Sequence, residues 1–350
     1  MFDALLWRWV PLAAALLLNG CSTLDYYSHL AGGQLHLLQA REPIAELLEN
    51  PTADPELKQR LALAQQARDF ASAQLSLPDN DSYRLYADIQ RPFVVWNVFA
   101  TPEFSLSPEL HCFPIAGCVA YRGFYSQGRA RGSAALLKQQ GLDTYLGGVE
   151  AYSTLGWFDD PILNTMLRWS DERLVAVIFH ELAHQQLYVA NDTAFNESFA
   201  SFVEREGLSQ WRIKQGLPPN DPQGEQQREQ FIALVLASRT RLQQLYASDL
   251  PPAQMRSGKQ AEIARLRAEY HALSKREWGG SGRYDDWINA PINNAKLLPF
   301  GLYDQWVPAF AALFEQVERD WPRFYQRVAA LGELPERERH QALMDLSAGS

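Results

Sequence analysis

Residues 171–207 read DERLVAVIFHELAHQQLYVANDTAFNESFASFVEREG, and this stretch decides the fold. Ser170 and Asp171 stand where a helix N-cap is expected, and Asp171 and Glu172 put negative charge at the positive end of the helix dipole. The helix is expected to run to about Val189. Leu174, Val175, Val177, Ile178, Phe179 and Leu182 make it apolar nearly all round, so it belongs inside a core. Within it, His180-Glu181-Leu182-Ala183-His184 sets two imidazoles at i and i+4, about 40° apart and one turn up, where both reach one cation. Glu181 then points at the water beside that cation and not at the cation itself. A lone histidine on an apolar helix is most simply a hydrogen-bonded core residue. With seven His in 350 residues, two of them flanking a Glu at this spacing is a pattern that chance rarely gives.

A second helix is expected from about Thr193 to Glu206, ended by Gly207. Glu197 follows His184 by 13 residues, across a short turn at Asn191-Asp192. Antiparallel packing of the two helices would bring its carboxylate back beside the imidazoles. A catalytic zinc takes three protein ligands and keeps one open corner. His180, His184 and Glu197 are the expected ligands of one Zn2+, and Glu181 the general base. Glu204, near the same helix face as Glu197, is placed to orient a ligating histidine, with Asn196 as a second supporting residue. The plain alternative for Glu204 is a surface charge.

Around this centre the chain is an ordinary folded protein: 47% apolar and 21% charged, with no repeat or low-complexity tract. A net charge of −9 argues against a phosphate-binding face, so nucleic acid is not an expected partner. Helices are expected over Gln34–Leu48, split or kinked at Pro43, and over Pro55–Leu75. Strand candidates are Pro92–Ala100, Val119–Tyr125 and Leu146–Ser153, with a helix around Ala130–Gln140. Glu225–Tyr246 and Ala253–Arg276 flank Pro251-Pro252 as a charged helical hairpin, and 219–285 is read as an insertion laid against the core. Its plain reading is a solvated face; a protein partner is the functional one. Helical patterns return over Asn293–Leu298 and Val307–Ala330. The expected fold is α+β and helix-dominated, with a small sheet beside the helix that bears the histidines, in a single domain over 21–350.

The first residues, MFDALLWRWVPLAAALLLNGC, form an address. The apolar run Val10–Leu18 is too short for a lasting span of roughly 20 residues and has the length of a secretory h-region. Leu18-Asn19-Gly20-Cys21 resembles a bacterial lipobox, although Asn19 departs from the usual small or apolar residue. Residues 1–20 are then a signal peptide and Cys21 the lipidated residue, holding the protein to a membrane. Ser22 in place of Asp favours the outer membrane by the sorting pattern, and an uncleaved anchor would leave the compartment unchanged. Export would put Cys112 and Cys118 in an oxidising compartment, where they form either a small disulfide loop or two buried thiols.

The histidine helix followed by Asn196-Glu197-Ser198-Phe199-Ala200 resembles the gluzincin metallopeptidases, in which HExxH is completed by a Glu on the next helix. The spacing is shorter than in thermolysin-like and large exopeptidase families. More closely, the chain resembles a bacterial family of predicted aminopeptidase lipoproteins. That likeness rests on Cys21 onward, Gly117-Cys118-Val119-Ala120-Tyr121-Arg122-Gly123, Ala151-Tyr152-Ser153-Thr154-Leu155-Gly156-Trp157 and Asn293-Asn294-Ala295. It implies a zincin-like fold, peptide substrates, and an edge strand over Gly147–Ser153 whose backbone, Gly148 included, pairs with extended peptide. Glu150 would take the free amine of an aminopeptidase substrate, although the Met and Asn of the exopeptidase motif are missing around it. Tyr152 and Tyr303 become candidate donors to the developing oxyanion, and Arg122 a weaker one. Two rivals stay open: a zinc endopeptidase or cell-wall amidase, and a non-catalytic envelope lipoprotein with a structural or vestigial metal site.

Overall fold

The computed structural model describes residues 23–113, 117–151, 154, 156–219 and 222–348, and of residues 222 and 301–303 the backbone only. Helix α1 covers 23–39. There follow β1 (Arg41–Pro43), α2 (Ile44–Glu49), α3 (Pro55–Leu75), β2 (Leu85–Ala87), β3 (Val95–Thr101), β4 (His111–Phe113), β5 (Gly117–Val119) and β6 (Tyr121–Phe124). Next come α4 (Gln127–Gln139), β7 (Asp143–Val149), β8 (Ile162–Leu163) and the long pair α5 (Asp171–Gln186) and α6 (Thr193–Lys214). The rest is helical: α7 (Pro222–Tyr246), α8 (Pro252–Glu277), α9 (Asp285–Asn289), α10 (Asn294–Tyr303), α11 (Val307–Gln316), α12 (Trp321–Gly332) and α13 (Glu336–Ala348). The protein is a helix-dominated α+β structure with small sheets. No helix among the described residues is long and apolar enough to cross a membrane.

Local chemistry explains the boundaries. Asp54 caps α3 by accepting from Glu56 N and Leu57 N, with Pro55 at the first helical position. Pro43 has no N–H to donate at an interior helical position, and the expected Gln34–Leu48 helix breaks there: Arg41–Pro43 pairs antiparallel with β2, and Pro43 becomes the N-cap of α2. The main sheet has the order β6-β3-β7, all antiparallel, which leaves β7 an edge strand. Helices α1 and α4 cover one face of it, with Tyr26 and Ala130 packed on Val98 and Phe124. A second sheet, β1-β2-β8, includes a parallel pair, and β4-β5 is a hairpin in which Cys112 and Cys118 face each other and form a disulfide.

The principal core is built from α3, α5, α6, α11 and α12, with Leu174, Ile178, Phe179, Phe195, Phe199, Phe310 and Phe324 at its centre. A smaller core lies in the hairpin region, where Phe231, Tyr270, Trp278 and Ile288 meet Leu297 of α10. Helix α5 lies between α3 and α6, so its neighbours along most of its length are helices. The strand layer meets it at its first turn, where Glu150, just past β7, pairs with Arg173.

Three expectations change. Helix α5 stops at Gln186, with Leu187 extended, because the Asn196 side chain takes up both backbone groups of Val189. Helix α6 runs through Gly207 to Lys214; a Cβ at 207 would lie 2.7 Å from Leu75 Cδ1 and 2.9 Å from Phe179 Cδ2. That glycine serves close helix packing and ends nothing. The Val307–Ala330 pattern is two helices, because Glu318 and Arg319 both take φ of +59° before Asp320 caps α12.

Candidate metal centre

Helix α5 starts at Ser170, whose hydroxyl accepts from Arg173 N at 3.3 Å. Helix α6 starts at Asp192, whose Oδ1 accepts from Phe195 N at 3.0 Å. They pack antiparallel in a definite register: Glu172 pairs with Arg212, Phe179 faces Gly207, His180 meets Glu204 and His184 meets Glu197. Close contact at Gly207 fixes the pair at the middle of α5, and the short connection 187–192 fixes a second point, the closed end.

At that second end the two imidazoles turn the same atom inward. His180 Nε2 and His184 Nε2 are 3.2 Å apart, and Glu197 Oε2 lies 3.5 Å from the first and 3.6 Å from the second. Ligands about 2.0–2.2 Å from a tetrahedral zinc stand roughly 3.3–3.5 Å from one another, so these three atoms have the spacing of a metal triad. The side chains are 11%, 10% and 10% exposed, a nearly dry pocket that still opens to solvent.

The surroundings favour a cation. Glu204 Oε2 lies 2.9 Å from His180 Nδ1. A carboxylate only accepts, so Nδ1 carries a proton, which makes Nε2 the atom that would face a cation. Burial acts to lower His180, but the contacts with Glu197 and Glu204 outweigh it and hold the imidazole well above its ordinary value. Burial acts to raise Glu197, yet the charge of His184 and hydrogen bonds from both imidazoles hold it down at about 2. Glu181 is pushed up by burial, and both imidazoles and both other glutamates act on it electrostatically. Three carboxylates around two imidazoles make a negative pocket. The donor set and the spacing both fit one divalent ion.

Other expected residues are more scattered. Asn196 turns from the ligands and locks the connection, accepting from Val189 N at 2.8 Å and donating to Val189 O at 2.7 Å. The Glu150 carboxylate is 27% exposed and accepts from Arg173 Nη2 at 3.0 Å and Trp169 Nε1 at 2.8 Å. Gly148 lies under the Phe93 ring, which a Cβ would meet at 2.5 Å. Arg122 stacks on the Tyr26 ring at 3.9 Å, in the layer between α1 and the sheet. Tyr303 closes α10, and the next residue, Asp304, is bonded to Arg205 beside Glu204. The Tyr303 side chain, Tyr152 and Cys21 lie outside the described residues.

Several supports escape a sequence reading. Asp192 is buried and receives Arg339 Nη2 at 2.8 Å and His340 Nε2 at 2.9 Å, so α13 clamps the cap of the helix that carries Glu197. Asn191, with φ of +71°, accepts from Cys118 N at 2.8 Å and ties the disulfide hairpin to the same connection. Tyr188 is close enough to feel the charge of Glu197. An Asp before Thr193 is a readable cap signal; its partners, 147 and 148 residues away, leave no trace in the pattern.

Two imidazoles and a carboxylate on antiparallel helices, with a glutamate beside the first imidazole, form a gluzincin-like metal-ligand cluster. The three ligand atoms lie within 4.8 Å of one another. The chain belongs to the Aminopep family ("Putative aminopeptidase"), whose model matches residues 25–343. No curated protein and no solved structure matches it.

Proposed function

We propose that this protein is a zinc-dependent peptidase of aminopeptidase type, with a zincin-like fold, held at the bacterial envelope through a lipidated Cys21. The observation that carries the reading is the convergence of His180 Nε2, His184 Nε2 and Glu197 Oε2 at zinc-ligand spacing beside Glu181. Membership of an aminopeptidase family supports the choice of peptide substrates. The Cys112–Cys118 disulfide supports an oxidising compartment.

Zinc bound by the triad would polarise the scissile carbonyl and bring the pKa of its water to about 7. Glu181 accepts the proton of the attacking water and delivers it to the departing amine. Glu204 fixes the tautomer and tilt of His180. Tyr303 is the favoured donor to the oxyanion, on the strength of its backbone position beside Asp304 and α6. The free amine is assigned to Glu150, which would share its carboxylate with Arg173.

Purified protein is expected to hold about one zinc per chain and to lose peptide hydrolysis when the metal is chelated. Glu181→Gln is expected to keep the zinc and lose roughly 10²–10⁴-fold in turnover. Full activity in that variant refutes the assigned chemistry. A peptide with a blocked N-terminus separates exopeptidase from endopeptidase action, because an aminopeptidase rejects it.

A further inference from the structure

Before and after the centre of the stretch Ala151–Trp157 the chain is tied to α5, the helix that bears the histidines. At one end Glu150 is bonded to Arg173, in the first turn of α5. At the other, Gly156, at φ of +81°, lies against Gln185, with 3.9 Å from its Cβ direction to the side chain. Arg173, Val177, Glu181 and Gln185 recur every four residues, a row that winds about 120° around the helix from Arg173 to Gln185. From 173 to 185 the helix rises about 18 Å. Arg173 and Gln185 are therefore two anchor points a little over three turns apart on α5, and Glu181 lies between them.

Beyond Gly156 the chain makes a small stapled loop. Thr154 N donates to Asp160 Oδ2 at 2.8 Å, Phe158 N donates to Thr154 Oγ1 at 3.1 Å and Trp157 N donates to Thr154 O at 3.2 Å. Asp160 is buried at 2%, and Gln185 is held in turn by Asn80 at 2.8 Å and Ser82 at 3.2 Å. This fixed loop turns its two large aromatic side chains to solvent: Trp157 is 66% exposed and Phe158 46%. Exposed aromatics on a loop pinned at Gln185, which stands one turn of α5 beyond Glu181, cost hydration and contribute no core packing.

We propose that Trp157 and Phe158 form an apolar subsite for a substrate side chain flanking the scissile bond, so that the enzyme prefers peptides with a bulky apolar residue there. The proposal rests on the peptidase reading and adds its substrate class. Both rings offer rigid faces at little entropic cost, and an aliphatic or aromatic side chain would cover the surface they leave to water.

The test uses the zinc-loaded full chain and two peptide series, Xaa-Ala-Ala and Ala-Xaa-Ala, with Xaa as Ala, Leu or Phe. The unaltered enzyme should show higher kcat/KM for Leu and Phe than for Ala in one series. The Trp157→Ala, Phe158→Ala double variant should lose about tenfold or more on the Leu and Phe peptides and stay unchanged on all-Ala peptide. Trp157→Phe should keep most of the preference. Survival of the apolar preference in the double variant overturns the proposal, and so does an equal fall on all peptides. An unaltered, zinc-loaded chain that cleaves no peptide overturns the peptidase reading as well, and the two failures are told apart by that control.

Discussion

Replacing Asp192 by Ala tests whether the ligand-bearing end of α6 is held from a distance. Asp192 is 4% exposed and Arg339 5%. The carboxylate receives Arg339 Nε at 2.9 Å and Nη2 at 2.8 Å, His340 Nε2 at 2.9 Å and Phe195 N at 3.0 Å. Truncation leaves a guanidinium buried without its counter-charge, a loss of about 3–5 kcal/mol, and removes a helix N-cap for about 1 kcal/mol more. Arg339 would keep the carbonyls of Gly332 at 3.1 Å and Leu334 at 2.8 Å, which reduces the total. The expected net loss is about 4 kcal/mol, a large part of an ordinary domain's 5–15 kcal/mol. Urea unfolding in the presence of chelator measures it without a contribution from bound metal. The cause is isolated by a second variant: Asp192→Ala combined with Arg339→Leu removes the orphaned charge and should recover about 2 kcal/mol over Asp192→Ala alone. A single substitution costing under about 1 kcal/mol, or a double variant that is simply additive, refutes the buried-pair reasoning.

Gly207→Ala drives a methyl against Leu75 and Phe179. Contacts of 2.7 and 2.9 Å put the overpacking at about 2–3 kcal/mol, and roughly 1 kcal/mol of helix propensity offsets it, so urea unfolding should show a net loss of about 1–2 kcal/mol; a neutral variant shows that the helices can separate freely. Glu204→Ala should weaken zinc binding roughly 10–100-fold in a chelator competition while the circular dichroism stays that of the parent, and unchanged affinity removes Glu204 from the support of His180.

The centre was legible because its signals are local. The i, i+4 histidines, the Glu between them and the cap residues before each helix are all read within a few positions, and one short turn fixes where Glu197 lands. What stayed hidden depends on contacts between distant residues. Gly207 reads as a terminator, and only the neighbouring Leu75 and Phe179 show that it is a packing position. Glu318 and Arg319 adopt left-handed backbone without the Gly or Asn that would announce it. The strands of β1-β2-β8 are two or three residues long, too short for an alternation to register. Helix α13 has a mostly charged sequence with just Arg339 and Leu343 buried, so its role as a clamp follows from what it touches and not from its periodicity.

The connection between α5 and α6 has no slack. Asn196 grips Val189 from both sides, Asp192 is anchored to α13 and Asn191 to the disulfide hairpin, so each of these positions already has a fixed seat. A residue inserted or deleted here would have to break one of those bonds or carry Glu197 off the imidazoles. The interval from His184 to Glu197 thus works as a ruler, and evolutionary drift in length among chains that share this centre should fall outside it, where loops are free to grow.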